Sequence, residues 1–176
     1  MNLRRLHIGG QVSAEGWEVL DANPGPFVDH VGDAGDLSRF ETGTFAAVYA
    51  SHVLEHFDYK DGLVAALREW NRVLAPGGTL YVSVPDLEVL ASLFLQKDKL
   101  TINERFHVMR MIFGGHVDRY DYHLAGLDVD FLAAFLQEAG FVNLRRMSSF
   151  GLFQDTSGMQ FNGVPISLNV AADKAR

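Results

Sequence analysis

Three side chains able to do chemistry stand close together at His52, Glu55 and His56. They spell His-x-x-Glu-His. Histidines four apart share one face of a helix, and this is the ligand spacing of a class of zinc peptidases. A second group runs from Gly114 to His123 and gathers His116, Asp118, Arg119, Tyr120, Asp121, Tyr122 and His123 behind two glycines. That composition suits hydroxyl-rich ligands and proton transfer. A third group is Gly9, Gly10 and Gln11, with Asp21 twelve residues beyond Gly9. Glycines at a strand end let backbone approach a ligand closely, because no Cβ stands in the way. No metal is expected at the His-x-x-Glu-His corner, since the motif lacks a third ligand. Glu55 reads instead as a carboxylate that hydrogen-bonds local backbone and fixes the corner.

These groups need elements to position them, and the stretch from Phe45 to Glu88 supplies the frame. Phe45 to Ala50 is nearly all apolar, as in a strand covered on both faces. Leu63, Leu67, Trp70 and Leu74 recur at helical spacing, with Asp58 as N-cap, and Gly77 and Gly78 then turn the chain into a strand over Thr79 to Val84. This is a βαβ unit whose polar residues collect where its first strand ends. Ahead of it, strands are expected over Leu3–Ile8, over Trp17–Leu20 and over Phe27–Val31, the last after the turn cluster Asn23-Pro24-Gly25-Pro26. Only Val12 to Gly16 lies between the first turn and the second strand. A parallel crossover normally needs a dozen or more residues, so the first crossover helix is expected to be lost or reduced to a turn. After Pro85, helices are expected over 88–97 and 102–113, forming with the polar loop an insertion over 87–127. Asp128 caps a last helix that Gly140 ends, and Phe141–Ser149 and Ile166–Ala172 read as a terminal antiparallel pair.

Composition bounds the function. A chain of 176 residues, 48% hydrophobic, reads as a single domain over 1–176 with a core of its own. A net charge of −7 with only 15 Lys and Arg speaks against gripping a phosphate backbone, so no nucleic-acid partner is expected. There is no cysteine, hence neither a disulfide nor thiol chemistry. No apolar run is long enough for a membrane span, and MNLRRLHIGG lacks the apolar core of a secretory signal, which makes a cytoplasmic location the expectation.

The run SHVLEHF followed by LREWNRVLAPGGTLYVSVPDLE resembles the central segment of class I S-adenosylmethionine-dependent methyltransferases, in particular the compact type-11-like group often associated with glycan biosynthesis. The resemblance implies a Rossmann-like, doubly wound α/β fold. Its mostly parallel seven-stranded sheet would carry a C-terminal antiparallel strand and, here, the truncated first crossover. It implies S-adenosylmethionine as cofactor. Gly9, Gly10 and Gln11 would face its methionine end, with Gln11 standing where the family usually has glycine. Asp21 would accept from the ribose hydroxyls and Asp33 from the adenine amino group. Ala34 would offer its backbone, and Ser51 and His52 would close the cofactor side. The implied reaction is methyl transfer to a small polar acceptor, a hydroxyl of a sugar or glycan intermediate. His123 and His56 are the candidate bases, with His116 and Asp121 in support. Two other readings stand beside it: a methyltransferase-like binding or regulatory protein without turnover, and a zinc hydrolase built on His52, Glu55 and His56. A homodimer whose second subunit fills the gap left by the short crossover belongs to the same set of expectations.

Overall fold

Alternation of apolar side chains along buried strands dictates a sheet, and the computed structural model, which describes residues 4–176, shows seven strands in it. Leu3, placed in the first strand by its sequence, lies outside the described residues. The chain runs β1 (Arg4–Ile8), β2 (Glu18–Asp21), β3 (His30–Val31), β4 (Phe45–Ser51), α1 (Gly62–Val73) and β5 (Leu74–Pro85). It continues through α2 (Leu87–Phe94), α3 (Ile102–Phe113), α4 (Val129–Glu138), β6 (Phe141–Met147), a small hairpin of β7 (Gln160–Phe161) and β8 (Val164–Pro165), and β9 (Ser167–Lys174). The sheet order is β3-β2-β1-β4-β5-β9-β6. All the pairings from β3 across to β5 are parallel, and β9 runs antiparallel to both β5 and β6. This is a Rossmann-like, mostly parallel α/β sheet with one antiparallel strand inserted near its C-terminal edge.

The two faces are covered differently, and this decides where the site lies. Leu6, Ile8, Val48, Ala50, Leu80, Val82, Val170 and Ala172 share one core with Leu63, Leu67 and Trp70 of α1 and Leu132 and Leu136 of α4. On the other face no helix lies between β1 and β2, as the short spacing predicts, and Gly9 to Trp17 crosses without one. An aromatic plug takes its place. Phe153 packs against His7, Trp17 and Tyr49 with ring centroids 4.1, 5.3 and 4.7 Å away. Phe150 lies against Tyr49 and Tyr81 at 5.6 and 5.5 Å. The segment after β6 thus folds back over the face that a crossover helix would otherwise cover.

Three local expectations need correction. The third strand is only His30–Val31, and Phe27 is 50% exposed. Pro24 and Pro26 hold the preceding residues in a turn, in which the Val28 N–H donates to Gly25 O at 3.2 Å. The helix cap is Asp61, without a side-chain bond, while Asp58 Oδ1 accepts from the Lys60 N–H at 2.8 Å and closes a turn before it. The first helix after β5 ends at Phe94 instead of reaching Lys97. Asp128 does cap α4, its side chain accepting from the Phe131 N–H at 2.8 Å.

His7 gives the plug a pH dependence. It is 3% exposed, its Nδ1 has no partner among the described residues, and burial holds its pKa down at about 4 from 6.5. The unfolded chain takes up this proton from about pH 6.5 downward, whereas the folded chain does so only near 4. The stabilisation is therefore complete above 6.5 and is lost on the order of 3 kcal/mol as pH falls to 4. Urea unfolding across that window is expected to show a shallower pH slope for His7→Leu than for the parent. Equal slopes would exclude His7 as a source.

Candidate active site

The loops at the C-terminal ends of β1, β2 and β4 enclose a cavity of about 390 Å³, where open parallel sheets bind ligands. Gly9, Leu20, Asp21, Ala22, Asn23, Asp33 and Ala34 line one part of it, and His52, Val53, His56, Phe57 and Tyr120 the other. Gly9 has φ +72, and a methyl group there would collide with Val53 Cγ2. Its N–H is taken up by Leu20 O at 2.8 Å, so what this glycine offers a ligand is space. Asp21 Oδ1 accepts from the Asn23 N–H at 2.7 Å, an Asx turn that holds the carboxylate against the cavity. Asp33 Oδ1 does the same for the Gly35 N–H at 2.7 Å. The Ala34 carbonyl accepts from the Trp70 indole N–H at 2.8 Å, which ties this loop to the buried face of α1.

Not every expected residue reaches the cavity wall. Gly10 is buried with its Cα facing the His7 ring, and Gln11 is exposed near Gly25. Ser51 Oγ is 3.1 Å from Thr156 Oγ1 and faces the plug. Tyr120, Val53, Phe57, Ala22 and Asn23 line the cavity without having been singled out in the sequence. Of these, Tyr120 belonged to the polar loop noticed there, Asn23 to the turn cluster, and Val53 and Phe57 to the run SHVLEHF.

At the β4 end the chain makes a single 3-10 turn, Leu54–His56, and not a helix. His52 adopts φ 54, and the spacing of His52 and His56 is therefore not converted into one helix face, which removes the geometry of the peptidase motif. Glu55 also departs from expectation. It is 1% exposed, and neither carboxylate oxygen has a hydrogen-bond partner among the described residues. What fixes the corner is its backbone carbonyl, which accepts from the Leu124 and Ala125 N–H groups at 2.8 and 3.1 Å. Those bonds bring His123 beside it, with Nε2 3.9 Å from Glu55 Oε1. The His56 and His123 rings meet edge to face at 4.9 Å. Burial pushes Glu55 up to about 8 and His52 down to about 4, and it lowers His123 with help from neighbouring His56.

His116 and Asp121 serve the loop. His116 has its Nε2 2.9 Å from Phe113 O and stacks on Tyr122 at 4.1 Å, and its N–H donates to Asp121 O at 3.0 Å. Asp121 Oδ2 accepts from the Val117 N–H at 3.3 Å. The two shape the Gly114–His123 loop, from which Tyr120 reaches the cavity wall, whereas His116, Asp121 and the expected base His123 do not line it; His123 stands beside Glu55 instead.

A ligand cavity at the strand ends of a β3-β2-β1-β4-β5-β9-β6 sheet, with acidic residues after β2 and β3, is the arrangement in which open, mostly parallel α/β sheets bind their ligands. Residues 13–82 match the family model described as Methyltransferase domain. That match covers less than half of the chain. The chain is similar in fold to a S-adenosylmethionine-dependent methyltransferase from Archaeoglobus fulgidus, at 15% identity and TM-score 0.62, covering 98% of this chain and 86% of that one. It is also similar to the 1,6-didemethyltoxoflavin N1-methyltransferase of Burkholderia thailandensis, at 14% identity and TM-score 0.58, covering 99% and 72%. A possible exported protein from Bordetella parapertussis matches at 15% identity and TM-score 0.60, covering 99% of this chain. The chain spans only 64% of that protein and 49% of the CurJ carbon methyltransferase. No curated protein matches the chain significantly. No helix among the described residues is long and apolar enough to cross a membrane.

The family's cofactor fits the residues present. Asp21 Oδ2 has no hydrogen-bond partner among the described residues and can accept from a bound hydroxyl, and the Gly9 turn leaves the close approach that a side chain would fill. Asp33 and Ala34 stand together in the wall of the same cavity.

Proposed function

We propose that this chain transfers the methyl group of S-adenosylmethionine to a hydroxyl of a small polar acceptor, a sugar or glycan intermediate. The observation that carries the reading is the continuity of one cavity between the Gly9, Asp21, Asp33 and Ala34 wall and the His52, His56 and Tyr120 wall. The sulfonium supplies an activated methyl group and leaves as a neutral thioether. Asp21 accepts from the ribose hydroxyls, Asp33 accepts from the adenine amino group, and Val53 and Phe57 present apolar surface that keeps water from the reacting centre. Tyr120 offers a hydroxyl suited to a polar acceptor. His123 or His56 accepts the proton of the attacking hydroxyl at Nε2.

The test uses purified protein with isotopically labelled S-adenosylmethionine and a panel of free sugars and oligosaccharides, reading methylated product and S-adenosylhomocysteine. His123→Ala and His56→Ala are expected to slow transfer about 100-fold each while S-adenosylhomocysteine affinity stays within about threefold. Unchanged transfer in both variants would rule out this corner as the acceptor side.

A further inference from the structure

The surroundings of Glu55 contain an unresolved contradiction. A carbonyl oxygen can only accept, so His56 Nδ1, 3.1 Å from Tyr122 O, carries its ring's proton and leaves Nε2 with a bare lone pair. His123 Nδ1 stands 3.3 Å from Ile112 O and is fixed the same way. Ser167 Oγ donates to Thr156 O at 2.8 Å, so it accepts from His52 Nε2 at 3.0 Å and leaves His52 Nδ1 bare. That Nδ1 lies 3.5 Å from Glu55 Oε1, and His123 Nε2 lies 3.9 Å from the same oxygen. Lone pairs thus converge on a carboxylate that is almost fully buried and has no hydrogen-bond partner among the described residues. Such an arrangement is unfavourable unless something positive sits between the atoms.

The distances decide what that is. One donor atom from each of Glu55, His56 and His123 lies within 4.8 Å of the others. The approaches of His52 and His123 to Glu55, 3.5 and 3.9 Å, are too long for a shared proton in a hydrogen bond. They are close to the separation of about 3.4 Å between neighbouring ligands of one tetrahedral ion bonded at about 2.1 Å. Both outer imidazole nitrogens already donate to backbone carbonyls, the arrangement that orients metal-bound histidines elsewhere. The site is also built in advance, because the bonds from Leu124 and Ala125 to the Glu55 carbonyl hold the His123 loop against the turn.

We propose that Glu55, His56 and His123 bind one divalent cation of borderline softness, Zn²⁺ above others, with His52 Nδ1, a third imidazole nitrogen, 3.5 Å from the same carboxylate. Two imidazoles and one carboxylate favour such a metal over Mg²⁺ or Ca²⁺. His56 also lines the cavity, so the open coordination position faces the acceptor side. The use of the ion, though not its binding, rests on the methyl-transfer reading. A hydroxyl bound to it loses its proton to water more readily, and the two imidazoles then act as ligands in place of proton acceptors.

The full chain, stripped with a chelator and dialysed, is titrated calorimetrically with zinc chloride, and in parallel with S-adenosylhomocysteine. One zinc per chain at a dissociation constant on the order of 1 µM or below is expected, weakened about 100-fold in His123→Ala and Glu55→Gln. Circular dichroism checks the fold, and His56→Gln, at a more accessible position, gives the same reading should Glu55→Gln fail to fold. Absence of binding at about 100 µM zinc, or affinity unchanged in the variants, overturns the ion site. If S-adenosylhomocysteine binds and zinc does not, the ion proposal falls alone. If zinc binds with the expected variant losses and S-adenosylhomocysteine does not, the ion site stands and the methyl-transfer reading falls.

Discussion

Replacing Trp70 with alanine is expected to lower the unfolding free energy by about 3–5 kcal/mol, a large share of the roughly 5–15 kcal/mol that holds a domain of this kind together. Trp70 is fully buried in the stripe of α1 that lies on the sheet, and Phe57 meets it edge to face at 6.4 Å. Its indole N–H is also the donor that holds the Ala34 carbonyl. Truncation would leave a void and free the adenine-side loop together. Trp70→Phe separates the two effects: it keeps most of the apolar volume, costs about 1–2 kcal/mol, and weakens S-adenosylhomocysteine binding several-fold through the loosened loop. Urea unfolding followed by circular dichroism and calorimetric titration read these outcomes. A loss below 1 kcal/mol for Trp70→Ala would contradict the packing argument.

The second large effect concerns Asp21, the carboxylate between the cavity and the core at the end of β2. Asp21→Ala is expected to raise the dissociation constant of S-adenosylhomocysteine about 100-fold, the equivalent of one or two hydrogen bonds to a charged group at about 1.5–3 kcal/mol each. Since Oδ1 also holds the Asn23 N–H, Asp21→Asn is the informative companion. It preserves that turn and removes the charge, so a loss nearly as large as for alanine assigns the effect to the ribose. Binding within threefold of the parent in Asp21→Ala, with the fold intact, would mean that the ligand lies elsewhere.

How much of this was legible in the residues depended on how local each signal was. The β4, α1 and β5 unit could be read because its strands are buried runs and its helix carries one unbroken stripe ending on Trp70 and Val73. The short crossover could be counted from Gly9 to Asp21. Phe27 and Val28 have strand-forming side chains, yet the prolines around them and the turn closed by the Val28 N–H kept them out of the sheet. The plug of Phe150 and Phe153 had no periodicity to betray it, because it covers the sheet from a loop far along the chain. In the site, Asp21, Asp33, Ala34 and His56 could be placed by position relative to strand ends. Glu55 was misjudged because its neighbours in sequence include only two histidines. The group that makes it chemically interesting, His123, comes from another loop and is delivered by backbone bonds that no side-chain pattern encodes.

The position of β9 has a consequence for how the molecule is made. Because this strand lies between β5 and β6, those two cannot pair with each other, and both present open edges until residues 167–174 are available. During synthesis β6 leaves the ribosome well before β9, with which it pairs, so the sheet closes last on that side and through contacts distant in sequence. A nascent chain stalled before Ser167 would therefore expose two unsatisfied strand edges to chaperones and to other copies of itself.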